Sequence, residues 1–416
     1  MNGSSKLVQS LRSLELELPP SCVEFCPAFP SFFLVGTYSL QAGGSDSNNE
    51  NTENTGPEEE DDQDIPQSRQ PQSRNGSIVA FRFLDGAITH IQTMPQPSAL
   101  LDLRFNPHHG NDDVCAVVSS TATIALFRLT PDDSQGPLKH LRTMDMATMS
   151  QGEINPSPGS EILFTSFGWH PLRADTMAVT TSTGQVYIVR LPSFDGDWSL
   201  DPEPLITHSL EAWCVVIAPF PALSETDETR ETDGIVCRVY SGGDDSVLRY
   251  RTCTWNADSI AAPLPAVQSK GHDAGVTAIL PLFEDKDGNG LVVTGSYDEH
   301  IRLFSVPRLG KAMNLSESCL GGGVWRLKLI DMERTPSRDY YWRVRILASC
   351  MHAGTRVVEL FETNEGEYRI QVLARFEEHK SMNYGSDFLP GWKEKLSVVS
   401  TSFYDKLLCL WELDMD

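Results

Sequence analysis

The sequence predicts an all-β protein, a β-propeller of seven four-stranded blades that spans residues 1–416. Short runs rich in Val, Ile, Leu, Thr and aromatic residues recur along the chain and are separated by Gly, Asp, Asn and Pro, a pattern typical of strands joined by tight turns. These runs repeat as a group about every forty residues, which is the period of a four-stranded blade. No long amphipathic helical pattern competes with them.

The clearest blade lies within residues 270–306. A Gly-His pair, Gly271 and His272, precedes an apolar inner strand, and Gly-Ser-Tyr-Asp at 295–298 precedes a second apolar strand that ends near Phe304. This order of motifs resembles the WD repeat, with Phe304 where the terminal Trp usually stands. The end of the chain keeps that residue as Trp411.

Alignment of the other segments with this blade predicts one inner strand for each blade, at 23–26, 100–105, 163–169, 213–218, 276–282, 324–329 and 384–388. The last blade lacks an outer strand after Trp411, whereas a spare alternating segment at 11–18 precedes the first blade. We therefore expect the N-terminal strand to pair into the last blade and close the ring, which removes two exposed sheet edges.

The charge and composition of the chain indicate which kinds of partner and which cellular location to expect. The net charge of −24 argues against direct nucleic-acid binding, which needs clustered Lys and Arg. Residues 41–75 hold nine acidic residues against two arginines and few apolar ones, which predicts a disordered acidic loop inserted in the first blade, more a solubilising spacer than a binding tail. No run of eighteen apolar residues and no N-terminal signal pattern occur, so we expect no membrane contact and a cytoplasmic location.

Standard cofactor and catalytic motifs are not found in the sequence. The nine cysteines are scattered and odd in number, and the close pair Cys22 and Cys26 lacks a second ligand pair, so neither a disulfide framework nor a metal is expected. There is no phosphate-binding loop, dinucleotide fingerprint or nucleophile elbow. We predict no cofactor.

Propeller geometry identifies the loops in which function is expected. The loop entering each inner strand and the hairpin joining the second and third strands lie on one face, which we call the top face. In blades four to seven these loops collect carboxylates, an imidazole, glycines and aromatic rings: Trp213, Asp245, Asp298, Gly322, Gly323, Trp325, Arg326, His352, Tyr384, Asp387, Tyr404 and Asp405.

Each of these residues also has a structural interpretation. Asp245, Asp298 and Asp405 occupy a turn position where WD repeats use Asp to bind neighbouring backbone or a loop His, and His272 is the expected partner of Asp298. His352 stands where the repeat expects Asp, which leaves function and structure equally open.

The aromatic and glycine residues leave similar alternatives. The three rings at the starts of inner strands either plug the channel or bind a ligand. The glycine run at 321–323 indicates close approach of the backbone to a neighbouring blade or to a ligand.

The motifs also resemble a narrower family. The segments 23–27 (VEFCP), 240–245 (YSGGDD), 294–300 (TGSYDEH), 322–328 (GGVWRLK), 350–352 (CMH), 384–387 (YGSD) and 402–405 (SFYD) are similar to the diphthine methylesterases, WD-repeat proteins of diphthamide biosynthesis, with the closest similarity over 211–413. The resemblance implies hydrolysis of the methyl ester of methylated diphthine, the modified histidine of translation elongation factor 2. It also makes other diphthamide-biosynthesis proteins candidate partners.

The substrate's chemistry suggests roles for the top-face residues. A permanent trimethylammonium cation is favoured over aromatic faces, and the ester needs a base and a donor to the developing oxyanion. We hypothesise that His352 is the base, that Arg326 or the N–H groups of Gly322 and Gly323 hold the oxyanion, and that Asp298 and Asp387 assist. The predicted substrate-binding residues are Trp213, Trp325, Tyr384, Asp245, Gly322, Gly323 and Tyr404.

Two interpretations compete with the esterase. A propeller without a nucleophile motif is typical of a non-catalytic scaffold that recruits partners to the same face. A third possibility is a propeller that positions the separate amidating enzyme. The family resemblance favours the esterase over both.

Overall fold

The computed structural model describes residues 5–40, 74–133, 136–145, 162–191, 198–220, 234–256 and 259–415, and within these ranges all regular structure is β. Thirty-two strands form seven separate sheets, which confirms the predicted seven-bladed propeller. The predicted acidic loop at 41–75 lies outside the described residues except for Arg74 and Asn75.

Blades 1 to 3 follow two N-terminal strands, β1 (Lys6–Val8) and β2 (Ser10–Glu15), that join later sheets. Blade 1 contains β3 (Pro20–Phe25), β4 (Phe32–Thr37), β5 (Ser39–Leu40), β6 (Arg74–Leu84) and β7 (Ala87–Gln96). Blade 2 contains β8 (Leu100–Phe105), β9 (Val114–Ser119), β10 (Thr123–Leu129) and β11 (Leu138–Asp145). Blade 3 contains β12 (Phe164–His170), β13 (Arg173–Thr181), β14 (Gln185–Arg190), β15 (Ser199–Leu200) and β16 (Ile206–Thr207).

Blades 4 to 7 repeat this pattern. Blade 4 contains β17 (Ala212–Pro219), β18 (Ile235–Gly243), β19 (Leu248–Trp255), β20 (Ile260–Ala261) and β21 (Val267–Ser269). Blade 5 contains β22 (Val276–Glu284), β23 (Gly290–Ser296), β24 (His300–Val306) and β25 (Met313–Cys319). Blade 6 contains β26 (Arg326–Glu333), β27 (Trp342–Ser349), β28 (Thr355–Glu362) and β29 (Tyr368–Phe376), and blade 7 contains β30 (Gly385–Phe388), β31 (Lys395–Ser402) and β32 (Leu407–Asp414).

The N-terminal segment closes the ring, as the sequence predicts. Strand β2 pairs antiparallel with β32, in a register that aligns Ser10 with Trp411. The structure adds a contact that the sequence does not predict, because β1 pairs in parallel with β29 and aligns Lys6 with Ala374. One short segment therefore covers the outer edges of two blades.

The apolar cores lie between neighbouring blades. One core joins blade 1 to blade 7 through buried residues that include Val35, Phe81, Val399 and Leu410. The first and last sheets are therefore sealed by apolar burial as well as by strand pairing. Within the residues described, no helix has the length and apolar character needed to cross a membrane.

The top-face turns contain the aspartates for which the sequence analysis left a structural role open beside a functional one. Asp245 contacts His208 Nδ1 at 3.0 Å, and the Nε2 atom of that ring contacts Ser241 at 2.8 Å. Asp298 accepts bonds from the N–H of Asp273 at 2.8 Å and from Arg302 at 2.8 Å. His272 instead contacts Thr294 at 2.8 Å, so the expected His272–Asp298 hydrogen bond is not the one that forms.

Blade 7 has the fullest version of this network. His379 Nε2 contacts Ser400 Oγ at 2.8 Å, and Trp411 Nε1 donates to the same oxygen at 3.0 Å. Asp405 accepts a bond from the N–H of Lys380 at 3.1 Å. These bonds connect the entering loop, the second strand and the third strand of one blade, which fixes the position of the top-face loops.

Candidate functional site

Four aromatic side chains from four top-face loops converge at the end of the channel, and we call this group the mouth. The ring of Trp325 lies 5.6 Å from Trp213, 5.9 Å from Tyr297 and 5.1 Å from Tyr384, measured between ring centroids. Trp213, Trp325 and Tyr384 are the rings that the sequence analysis singled out, and the fold brings all three together. Tyr297 joins them from the hairpin between β23 and β24.

The aromatic contacts continue toward blade 1. Tyr384 contacts Phe403 at 5.4 Å, and Phe403 in turn contacts Tyr38 at 6.1 Å and Tyr404 at 5.0 Å. Tyr404 is 70% exposed, so it projects from the top face beside the mouth. The outer aromatic surface is therefore open to a partner that approaches from this side.

Asp244 places a carboxylate at the mouth. Its Oδ1 atom accepts a hydrogen bond of 2.6 Å from Trp213 Nε1. Burial raises the pKa of Asp244, the Trp213 bond lowers it, and the nearby acids Glu211 and Asp245 raise it further. Trp213 is thus held in place by an acidic group that also adds negative potential beside the rings. Sequence analysis named the neighbouring Asp245, which the structure commits to His208.

The glycines at the mouth are explained by a neighbouring hairpin. A Cβ on Gly322 would lie 2.3 Å from the carbonyl oxygen of Cys350, and one on Gly323 would lie 2.7 Å from Met351 Sδ. The first contact is with backbone, so a side chain at position 322 would displace the hairpin, whereas the second is with the flexible end of Met351. The glycine run was expected to approach a neighbouring blade or a ligand; the shortest contact is instead with the hairpin between β27 and β28 of blade 6 itself.

Beneath the mouth lies a cavity on the propeller axis, with a volume of about 210 Å³. All seven inner strands contribute to its wall. The lining residues are Val23, Glu24, Leu103, Arg104, Thr165, Ser166, Trp213, Cys214, Val215, Thr277, Ala278, Ile279, Trp325, Arg326, Leu327, Lys328 and Ser386. Trp213 and Trp325 belong to both the mouth and the cavity wall, so the mouth lies directly against the cavity.

A buried aspartate ties opposite sides of the cavity together. Asp102 is fully buried and forms ion pairs with Arg104 at 3.0 Å and, across the channel, with Arg326 at 2.8 Å. Ser166 donates to the same carboxylate at 2.7 Å. Burial alone would raise the pKa of Asp102, but the two guanidinium groups hold it below its usual range. Asp102 therefore remains ionised as a positioning group for both arginines.

A second charged group lies on the same wall. Lys328 Nζ is 2.5 Å from Asp387 Oδ1 and 3.7 Å from Glu24 Oε1. Asp387 also accepts a bond of 2.7 Å from the N–H of Phe25. Glu24 accepts one of 2.6 Å from the N–H of Phe105. Its enclosed position raises the pKa of Glu24 to about 7, although Lys328 opposes that shift.

The other nucleophilic side chains of the wall are not activated. Burial raises the pKa of the Cys214 thiol to about 12, and its S–H group points to the carbonyl of Val276. Thr165 and Thr277 donate to backbone carbonyls. Among the described residues that line the cavity there is no histidine. Ser166 donates to the carboxylate of Asp102, but the two arginines hold the pKa of that carboxylate low, so it is a weak proton acceptor. The wall thus offers one carboxylate with a raised pKa, Glu24, together with two arginines.

The predicted catalytic residues divide into two groups. Arg326 lines the cavity. Asp387 is buried behind the wall, where it forms an ion pair with the lining residue Lys328. His352 lies outside the lining residues, with 57% of its side chain exposed and Nε2 3.9 Å from Glu299. Asp298 is held by its turn bonds. The four residues therefore do not meet in one pocket: His352 lies in a top-face hairpin, whereas Arg326 begins strand β26 and lines the cavity.

Sequence reasoning missed Glu24, Asp102, Arg104 and Lys328. All four lie within the predicted inner strands, and charged residues in strands that are otherwise apolar were an available signal. A charged residue in an apolar strand marks an exceptional position, but the sequence does not show which of these charged side chains contact one another.

Comparison with known proteins supports the motif resemblance. No family model matches the chain. A Schizosaccharomyces pombe protein named diphthine methyltransferase is 27% identical over 351 residues, which cover 82% of this chain and 86% of that protein. Proteins of the same name from Saccharomyces cerevisiae and Homo sapiens are each 25% identical, covering 96% and 91% of this chain and 97% and 74% of their own lengths.

These matches confirm the resemblance stated from the motifs. They extend over most of the chain rather than over isolated repeats, and relatives from two fungi and from Homo sapiens share one name. The relatives carry the name of an enzyme, and this favours the diphthamide interpretation over the scaffold alternative.

Proposed function

We propose that the chain is an ester hydrolase of diphthamide biosynthesis, which cleaves the methyl ester of methylated diphthine on elongation factor 2 and releases diphthine and methanol. The observation that carries this proposal is the aromatic and acidic mouth directly above a charged cavity, in a chain whose relatives are named for diphthine. A substrate head with a permanent cation and an ester fits these two adjoining environments.

The mouth provides the recognition of the cation. Each contact between a quaternary ammonium group and an aromatic face contributes about 0.5–2 kcal/mol. Two such contacts, for example with Trp325 and Tyr384, correspond to a preference of about fivefold to several hundredfold over an uncharged head. The carboxylate of Asp244 adds attraction from the side of Trp213. The alternative, in which the rings only plug the channel, predicts no such preference.

The ester group requires a base and an oxyanion donor. The hypothesis from sequence, that His352 is the base and that Arg326 or the N–H groups of Gly322 and Gly323 stabilise the oxyanion, stays a prediction. Arg326 has support, because its side chain lines the cavity. His352 has the support of an exposed ring on the top face.

The substrate is a residue of a folded protein, so part of the top face must also contact elongation factor 2. The exposed ring of Tyr404 beside the mouth is suited to this contact. Because the factor acts in translation, the proposal places the chain in the cytoplasm. Other diphthamide-biosynthesis proteins remain candidate partners.

The decisive experiment measures methanol. Elongation factor 2 that carries methylated diphthine with an isotopically labelled ester methyl group is incubated with the purified chain alone, and labelled methanol is measured. Release without any methyl donor supports the hydrolase, and a matched reaction with unmodified factor serves as the control.

The competing interpretations give other results. Methylation of the factor only when a methyl donor is added would match the name methyltransferase that the relatives carry and would overturn the hydrolase proposal. Binding without methanol would support a scaffold, and binding that accelerates only the amidating enzyme would support the positioning role.

A further inference from the structure

We propose that Glu24 is the general base of this hydrolysis, acting on a water molecule inside the cavity, with Arg104 as the donor to the oxyanion. The proposal rests on the proposed function above. It assigns the chemistry to the charged wall beneath the mouth rather than to the exposed loops of the top face.

Glu24 is oriented toward the cavity by the backbone of blade 2. Its Oε2 atom accepts the N–H of Phe105 at 2.6 Å, which fixes the carboxylate on the wall. The other oxygen lies 3.7 Å from Lys328 Nζ, beyond hydrogen-bonding distance. With 22% of the side chain exposed and the residue among those lining the cavity, this oxygen is accessible to a water molecule.

The two other carboxylates at the wall, Asp102 and Asp387, already form ion pairs with neighbouring side chains. Asp102 is fully buried between Arg104, Arg326 and Ser166. Asp387 is fully buried as well and takes Lys328 at 2.5 Å. Glu24 thus combines access to the cavity with a pKa of about 7, which suits a group that must accept and return a proton near neutral pH.

Arg104 is placed to receive negative charge. Its guanidinium group is held by Asp102 through Nε and Nη2, and within the described part of the chain no hydrogen bond is made by Nη1. The side chain is 32% exposed, lines the same cavity and lies near enough to Glu24 to lower its pKa. An oxyanion formed in front of Glu24 therefore meets a fixed cation.

The reaction balances with water as the only co-reactant. The Glu24 carboxylate takes a proton from water while the water oxygen forms a bond to the ester carbonyl carbon. The carbonyl electron pair moves to the oxygen facing Arg104. When that pair returns, the bond to the methoxy oxygen breaks and protonated Glu24 gives its proton to the leaving group as methanol. This transfer leaves Glu24 ionised for the next cycle, and the product acid loses its own proton to solvent.

The test compares Glu24→Gln with Glu365→Gln, which makes the same chemical change at an exposed turn. Glutamine keeps the acceptor for the Phe105 N–H and nearly the same volume. We expect Glu24→Gln to lower kcat for methanol release by about 100-fold or more, with binding of the modified factor unchanged within about threefold. Glu365→Gln should retain wild-type turnover.

A second measurement does not depend on the variant folding. In the wild-type protein kcat/KM should rise about tenfold per pH unit below pH 7 and level off above it, because the base must be ionised. A flat profile between pH 5.5 and 8, or a Glu24→Gln variant with more than a third of wild-type turnover, overturns the inference. Wild-type protein that releases no methanol at any pH refutes the proposed function instead.

Discussion

Glu24 should make the stability of the fold depend on pH in a direction opposite to that of a salt-bridged acid. Its pKa rises from 4.5 to about 7 on folding, so between these values the folded chain binds the proton that the unfolded chain has already released. The contribution of Glu24 to the free energy of unfolding is therefore at its full value below pH 4.5, falls as the pH rises, and has vanished above about pH 7. In Glu24→Gln the titrating group is absent, so this pH-dependent decrease in the free energy of unfolding should also be absent.

The magnitude follows from the same shift. Linkage at about 1.4 kcal/mol per pH unit gives a loss of about 2 kcal/mol for the wild type between pH 5.5 and 8.5, most of it complete by pH 7.5. The free energy of unfolding of Glu24→Gln minus that of the wild type should therefore increase by about 2 kcal/mol over this range. Urea unfolding of both proteins at four pH values in this range measures it directly.

The comparison needs a control for the loss of any one carboxylate. Glu365→Gln changes an exposed side chain, and surface changes usually alter stability by less than about 0.5 kcal/mol. If the difference between Glu24→Gln and the wild type stays constant within that margin from pH 5.5 to 8.5, then Glu24 does not titrate near neutrality in the folded protein. The argument that Glu24 is suited to act as a base near neutral pH would then fail.

Four further changes test other parts of the molecule. Trp325→Ala should weaken binding of methylated factor by about 2- to 30-fold more than binding of unmodified factor in a titration; equal losses would mean that the ring only packs. His352→Ala separates the two candidate bases: loss of methanol release with the fold retained would support His352, whereas unchanged turnover removes it from the mechanism and is the result expected if Glu24 is the base. Ser400→Ala takes the acceptor from Trp411 and should cost about 1–3 kcal/mol in urea unfolding, whereas an unchanged midpoint argues against the network. Removal of residues 1–15 exposes the edges of β29 and β32 and should cause concentration-dependent association in size-exclusion chromatography; a monomer at all concentrations would contradict this.

The repeat pattern was sufficient to predict the architecture. Seven inner strands were placed within a few residues of their observed bounds, and the spare segment at 11–18 predicted the closing strand because the last blade was one strand short. The parallel pairing of β1 with β29 was not predictable, since three residues that contribute mainly backbone hydrogen bonds leave no pattern of side chains.

The mouth was predictable for the same reason as the blades. Once the strands are placed, topology alone sends Trp213, Trp325 and Tyr384 to one end of the ring. The identity of their neighbours was not predictable. Asp244 and Asp245 are adjacent in the chain, yet the first contacts Trp213 and the second contacts His208, and the direction of each side chain decides which.

Sequence by itself determined the number of blades, the closure of the ring and the face on which the loops gather, because these follow from a local period that every repeat carries. Only the tertiary structure decided that Glu24, Asp102, Arg104 and Lys328 form one charged wall. Arg326 and Asp102 come from blades on opposite sides of the axis, and their contact depends on the diameter of the closed ring and the reach of one side chain. Neither quantity is encoded in any single repeat.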